Sequence, residues 1–127
     1  MGMDENSIAT HIVDCSFKIH KTLGPGLLES VYQNILAYEL RKRGFHVDTE
    51  VDQAISYEGI QFDVGFKLDL VVENLVVVEL KSVEEIHPVH QKQLLTYLKL
   101  SGKRLGLLIN FNDVLIKDDI TRIANGM

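Results

Sequence analysis

Cys15 is the only cysteine in the chain, so an internal disulfide is excluded and a reducing compartment is expected. It falls on the apolar stripe of a helix and reads as buried packing. No uninterrupted apolar run approaches the roughly 20 residues that a membrane span requires. The opening Met1-Gly2-Met3-Asp4-Glu5-Asn6 lacks the basic start and apolar core of a signal peptide. Asn6 also stands where a myristoylation signal carries Ser or Thr. A cytoplasmic protein without membrane contact is therefore expected. Positive charge is short as well: 13 Lys and Arg against 18 Asp and Glu leave a net charge of −5. That balance argues against a protein that coats nucleic acid through a broad basic surface. It leaves room for an enzyme with a small basic approach, drawn from Arg41-Lys42-Arg43, Lys92, Lys99 and Lys103-Arg104.

Further absences narrow the chemistry. His11, His20 and His46 show no ligand spacing with one another or with Cys15, which speaks against zinc. Gly24-Pro25-Gly26 is no phosphate-binding loop, because the spacing to Lys and Ser/Thr and the preceding strand are both missing. Repeats, low-complexity tracts and linkers are absent too. At 127 residues, 46% of them apolar, one domain spanning residues 1–127 with a substantial core is expected.

Apolar spacing then supplies the elements. Ile8, Ile12, Cys15, Ile19 and Leu23 recur every three or four residues, predicting a helix over residues 7–23 capped by Asn6 or Ser7. A second helix is predicted over residues 27–43, with Leu28, Val31, Ile35, Leu36 and Leu40 as its core face and Gly44 as terminator. From Phe45 the period shortens toward strands, with a turn at Glu58-Gly59. An alternating series then runs through Phe62, Val64, Phe66, Leu68 and Leu70. His87-Pro88 opens a third helix to about Leu100. Residues 104–111 read as a buried strand, and Val114-Leu115-Ile116 as a short one before a frayed or helical end. This order gives a mixed α/β domain.

The informative stretch is residues 66–81, two β-branched runs joined by Glu73-Asn74 and so read as a hairpin. Asp69, Glu79 and Lys81 sit inside otherwise greasy strands. Glu79 and Lys81 share a face, and a tight turn places Asp69 across from them. Such charges are costly to bury without a metal or substrate. Asp69, Glu79 and the Leu80 carbonyl could form half of a Mg²⁺ shell, with Lys81 orienting water or stabilising charge on phosphorus. The competing reading is an edge-strand salt bridge of little consequence. Glu29, in the first turn of the second helix, suits either the helix dipole or a site shared with Tyr32 one turn on. His90, Gln93 and Tyr97 line one face of the third helix, suited to phosphate contact or simply to solvent.

Together, Gly26-x-x-Glu29-x-x-Tyr32, Leu68-Asp69, Glu79-Leu80-Lys81 and Gln93-x-x-x-Tyr97 resemble the GxxExxY protein family, within the PD-(D/E)XK nuclease-like superfamily. The resemblance runs from about Ile8 to Ile123; Leu68 stands in place of the motif proline. It implies a restriction-endonuclease-like core, a central mixed sheet of about four strands flanked by helices. It also implies Mg²⁺-dependent hydrolysis of phosphodiester bonds in DNA or RNA, with Mn²⁺ as a substitute. Asp69, Glu79 and Glu29 would then be metal ligands and Lys81 the water-orienting residue. Gln93 and Tyr97 occupy the polar positions of the helix after the hairpin. The alternative is a non-catalytic nucleic-acid or protein interaction module that keeps the fold, or a structural partner subunit. Because a chain this small grips a duplex poorly, a homodimer is expected.

Overall fold

The computed structural model describes residues 3–112 and 114–127, without the side chains of Val64 and Asp118. The expectations for Met1-Gly2, for the Val64 side chain and for Asp113 at the start of the tail lie outside the described residues.

Helix α1 spans Glu5–Leu23 and α2 spans Glu29–Lys42. The cap of α1 is Asp4, whose carboxylate accepts the Ser7 N–H at 2.8 Å. The helix therefore begins earlier than a cap at Asn6 or Ser7 would allow. Ile8, Ile12, Cys15 and Ile19 are buried as expected, whereas Leu23 is exposed at the helix end. The buried face of α2 is rotated from the expected one. Tyr32, Leu36 and Leu40 form its apolar stripe, and Leu28, the N-terminal flanking residue, is 74% exposed. The anchor is aromatic: Tyr32 stacks on Phe111 with ring centroids 4.3 Å apart, which turns Leu28 and Val31 outward.

Strands β1 (Val47–Tyr57) and β2 (Ile60–Val72) form a long antiparallel ribbon turned at Glu58-Gly59. Both turn residues have positive φ, 51° and 77°, the backbone that a two-residue hairpin with the right twist demands. Strand β3 (Val76–Lys81) returns antiparallel to β2 after Glu73 and Asn74, which also have positive φ. Helix α3 (Pro88–Ser101) then crosses over to β4 (Leu105–Asn110), parallel to β3. Gly102, at φ 70°, ends α3 in the left-handed conformation.

Among the described residues the sheet has five strands in the order β1-β2-β3-β4-β5, one more than expected. The addition is β5 (Ile120–Ala124), antiparallel to β4. No strand forms at Val114-Leu115-Ile116. Val114 and Leu115 are exposed, and Ile116 begins a 3-10 turn whose first side chain plugs the core.

Helices α1 and α2 cover one face of the sheet, packing Ile8, Ile12 and Leu36 on Leu70, Val78 and Leu80. Helix α3 covers the other, packing Leu94 and Leu98 on Val71, Val77 and Leu108. Central strands β3 and β4 are covered on both faces, which explains why they are mostly apolar.

Candidate active site

The site begins where two strands part. Pairing of β2 with β3 stops at Leu70↔Val78, while β2 stays paired with β1 as far as Ile60. A fork of this kind leaves backbone N–H groups without ladder partners, and buried donors must be satisfied some other way. Two carboxylates do it. Asp69 Oδ2 accepts the Leu80 N–H at 2.8 Å, and Glu79 Oε1 accepts the Asp69 N–H at 3.2 Å. The facing of β2 also changes here. Leu70 packs toward α1 and α2, but Leu68, two residues back, packs toward α3. Asp69 lies at the pivot, at the end of the sheet between the two helical layers.

Glu79 is only 8% exposed. Burial, and then the neighbouring Asp69 carboxylate, push its pKa up to about 8, with Lys81 opposing. Burial likewise raises Asp69, against the Leu80 N–H that favours its ionised form; the charges of Glu50 and Glu29 add to the rise. The two carboxyls thus behave as one acid pair, unwilling to carry two negative charges unaided. Tyr97 completes this side. Its ring stacks on Phe66 at 4.1 Å, and its hydroxyl is raised by burial and by the charges of Glu79 and Asp69, with Gln93 opposing. The structure therefore brings Asp69, Glu79, Lys81, Gln93 and Tyr97 to one place.

Three other expected residues are placed differently. Tyr32 is fully buried; its hydroxyl donates to the Gly24 carbonyl at 2.6 Å and accepts the Leu27 N–H at 3.2 Å. It fixes the loop before α2 and is not free to touch a substrate. Glu29 is exposed at the start of α2, and its Oε1 accepts the Ser82 N–H at 3.2 Å. That bond ties α2 to the end of β3 and puts Glu29 at the rim of the site. His90 turns back on its own helix, its Nδ1 accepting the His87 N–H at 3.1 Å.

Much of the expected basic approach is spent on local partners. Arg41 donates to the Val47 carbonyl, Lys42 pairs with Glu39, Arg43 with Asp14, and Arg104 with Glu5. Lys92 and Lys99 on α3 remain exposed.

Two residues escaped the sequence reading. Glu50 on β1 faces Asp69 across the ribbon, since Thr49 pairs with Leu70 and Val51 with Leu68. Asn110, fully buried at the end of β4, clamps the segment after Lys81. Its Oδ1 accepts the Val83 N–H at 3.1 Å and its Nδ2 donates to the Val83 carbonyl at 2.9 Å. A polar residue closing an apolar strand is the only signal Asn110 offered.

The donor set suits a hard divalent cation. Mg²⁺ takes oxygen ligands, commonly one or two carboxylates with water, and two adjoining carboxylates in a partly dry place match that preference. Asp69 and Glu79 would hold it, with the Leu80 carbonyl as the backbone donor. Among the described residues no three His, Cys, Asp or Glu side chains converge on one metal position. Glu29 is thus not brought to the pair as a third ligand.

The model of the PD-(D/E)XK nuclease superfamily matches residues 6–123, and the chain belongs to that superfamily. Its members generally depend on divalent metal. A comparison with curated proteins finds no match. Among solved structures, SSO0001 is similar with a TM-score of 0.58 and 19% identity, over 96% of this chain and 60% of that one. The chain thus spans about three-fifths of the length of SSO0001. LHK-Exo, an alkaline exonuclease from Laribacter hongkongensis, gives a TM-score of 0.47 and 16% identity over 98% of this chain and 72% of that one. The likeness to SSO0001 is one of fold. Among the described residues, no helix is long and apolar enough to cross a membrane.

Proposed function

We propose that this protein is a divalent-metal-dependent nuclease that hydrolyses phosphodiester bonds in nucleic acid, with the narrower kinship to the GxxExxY family that its motifs suggest. The observation that carries this reading is the Asp69–Glu79 pair, held by reciprocal hydrogen bonds in the β2–β3 fork with Lys81 on the same strand. A salt bridge on an edge strand does not account for it, since β3 is central in the sheet and Glu79 is buried.

The residues divide the work as follows. Asp69 and Glu79 would hold Mg²⁺ or Mn²⁺, which would supply Lewis-acid stabilisation of phosphate charge and a more acidic water. Lys81, two residues beyond Glu79 and on the same face of the strand, orients the attacking water and offsets charge developing on phosphorus. Gln93 and Tyr97 present donors next to the pair and contact the phosphate backbone. Phe66 keeps the Tyr97 ring in place by stacking, so that donor is set before substrate arrives. Tyr32 and Gly26, whose φ is 101°, shape the loop that presents Glu29 at the rim.

The test is cleavage of single-stranded, duplex and branched DNA and RNA with Mg²⁺ or Mn²⁺. Metal-dependent cleavage lost in Asp69→Asn is the expected result. Absence of cleavage across the panel, with binding that survives Glu79→Ala, would favour the interaction module instead. A homodimer is part of the proposal, because two sites serve two strands; sedimentation at micromolar concentration checks it.

A further inference from the structure

Three adjacent strands each place a carboxylate at the fork. Asp69 of β2 lies between Glu79 of β3 and Glu50 of β1, the last set opposite it by the pairs Thr49↔Leu70 and Val51↔Leu68. Glu50 is not placed there by ordinary strand geometry. Its φ is 51°, a left-handed conformation that a residue with a long side chain adopts at some cost. In that conformation its carboxylate turns toward α2, where Gln33 Nε2 donates to Oε1 at 3.3 Å. Gln33 is only 7% exposed, and it follows Glu29 by one helical turn, on the same side of α2. One helix therefore presents Glu29 at the rim and steadies Glu50 four residues later.

Resting on the reading of Asp69 and Glu79 as a cation site, we infer that Glu50 is a further residue of that site, with Gln33 as its positioning residue. Glu50 is not a direct ligand, because no third carboxylate converges with the pair among the described residues. It acts from the next layer out, accepting hydrogen bonds from water on the cation and adding negative charge that favours divalent over monovalent ions. Gln33 supplies the part-buried hydrogen bond that holds this exposed carboxylate in one orientation. Partners in that outer layer commonly change metal affinity by about tenfold or more.

The experiment is calorimetric titration of Mn²⁺ into the full chain, in wild type, Glu50→Gln, Gln33→Ala, the double variant and Asp69→Asn. Melting temperatures without metal confirm that each variant is folded. The expected result is a roughly tenfold weaker Mn²⁺ affinity in Glu50→Gln and a smaller loss in Gln33→Ala. Gln33→Ala should add nothing when Glu50 is already Gln, because it acts only through Glu50. Wild-type affinity in Glu50→Gln, with binding abolished in Asp69→Asn, would overturn this inference alone. Undiminished binding in Asp69→Asn, or none in wild type, would overturn the cation site itself and this inference with it.

Discussion

Asp69 and Glu79 each hold a backbone N–H on the other's strand: Glu79 Oε1 takes that of Asp69 at 3.2 Å, and Asp69 Oδ2 takes that of Leu80 at 2.8 Å. The exchange closes the fork between β2 and β3 where ordinary strand pairing has ended. It also forces two carboxyls together in a partly dry place. A fold would not keep such a pair for stability, because apolar side chains would fill the fork at less cost. Without a cation, the pair is a weak point of the domain, and that has measurable consequences.

The first is a pH dependence. Glu79 stays protonated to about pH 8 in the folded protein, against an ordinary value of 4.5; Asp69 is shifted in the same direction. Between those limits the folded state binds more protons than the unfolded state, so stability falls as pH rises. The contribution is complete below about pH 4.5 and is lost through pH 8. In EDTA, wild type should lose stability between pH 5 and 8.5, measured by urea unfolding. Glu79→Gln should flatten that slope and be the more stable protein at pH 8.5, by roughly 1–3 kcal/mol. Glu39, lowered by its hydrogen bond with Lys18, acts with the opposite sign. Its contribution is present above the ordinary carboxylate range and is lost as pH falls, so it does not mask the effect.

Cation binding should reverse the same penalty. A ligand that binds only the folded state at 100 times its Kd adds about 2.7 kcal/mol, or a melting rise of roughly 10 °C in a domain of this size. Mn²⁺ or Mg²⁺ at pH 8 should produce such a rise in wild type. Asp69→Asn should abolish it. Thermal melts with and without EDTA decide the matter, and an equal rise in Asp69→Asn would place the cation elsewhere.

Lys81 separates binding from chemistry. It is no metal ligand, so Lys81→Ala should keep Mn²⁺ affinity within about threefold. The rate of cleavage should nevertheless fall by a factor on the order of 10² or more, the usual loss when a group that stabilises transition-state charge is removed. Single-turnover kinetics on any substrate that wild type cleaves give the comparison. A parallel loss of metal affinity would mean that Lys81 organises the carboxylates instead.

Much of this site was legible because charge in a greasy strand is conspicuous. Asp69, Glu79 and Lys81 announced themselves by interrupting Val and Leu runs, and the positive-φ turns at Glu58-Gly59 and Glu73-Asn74 set the strand register around them. Glu50 gave no such signal. It sits in β1 among Asp48 and Asp52, where a half-exposed strand expects polar residues, and only cross-strand register sets it opposite Asp69. Tyr32 misled for a different reason. Helical spacing groups it with Glu29, but a phenol has an apolar body and a polar tip, and stacking on Phe111 decided which end the core received. The fifth strand was hidden because Ile116 fills the core by a 3-10 turn and leaves pairing to residues 120–124.

The Tyr32 hydroxyl gives the last prediction. It is buried with two backbone partners, Gly24 and Leu27, so Tyr32→Phe removes a donor and an acceptor while keeping the ring on Phe111. Losing these two part-buried hydrogen bonds costs about 1–3 kcal/mol, which urea unfolding would register. The Leu27 end of this loop also bonds Ser82, whose hydroxyl donates to the Leu27 carbonyl at 3.0 Å and whose N–H is held by Glu29. Loosening the loop should therefore reach the rim of the site, lowering cleavage several-fold while Mn²⁺ affinity at Asp69 and Glu79 holds. Were Tyr32 a substrate contact instead, Tyr32→Phe would weaken substrate binding and leave stability untouched. The two measurements move in opposite patterns for the two roles.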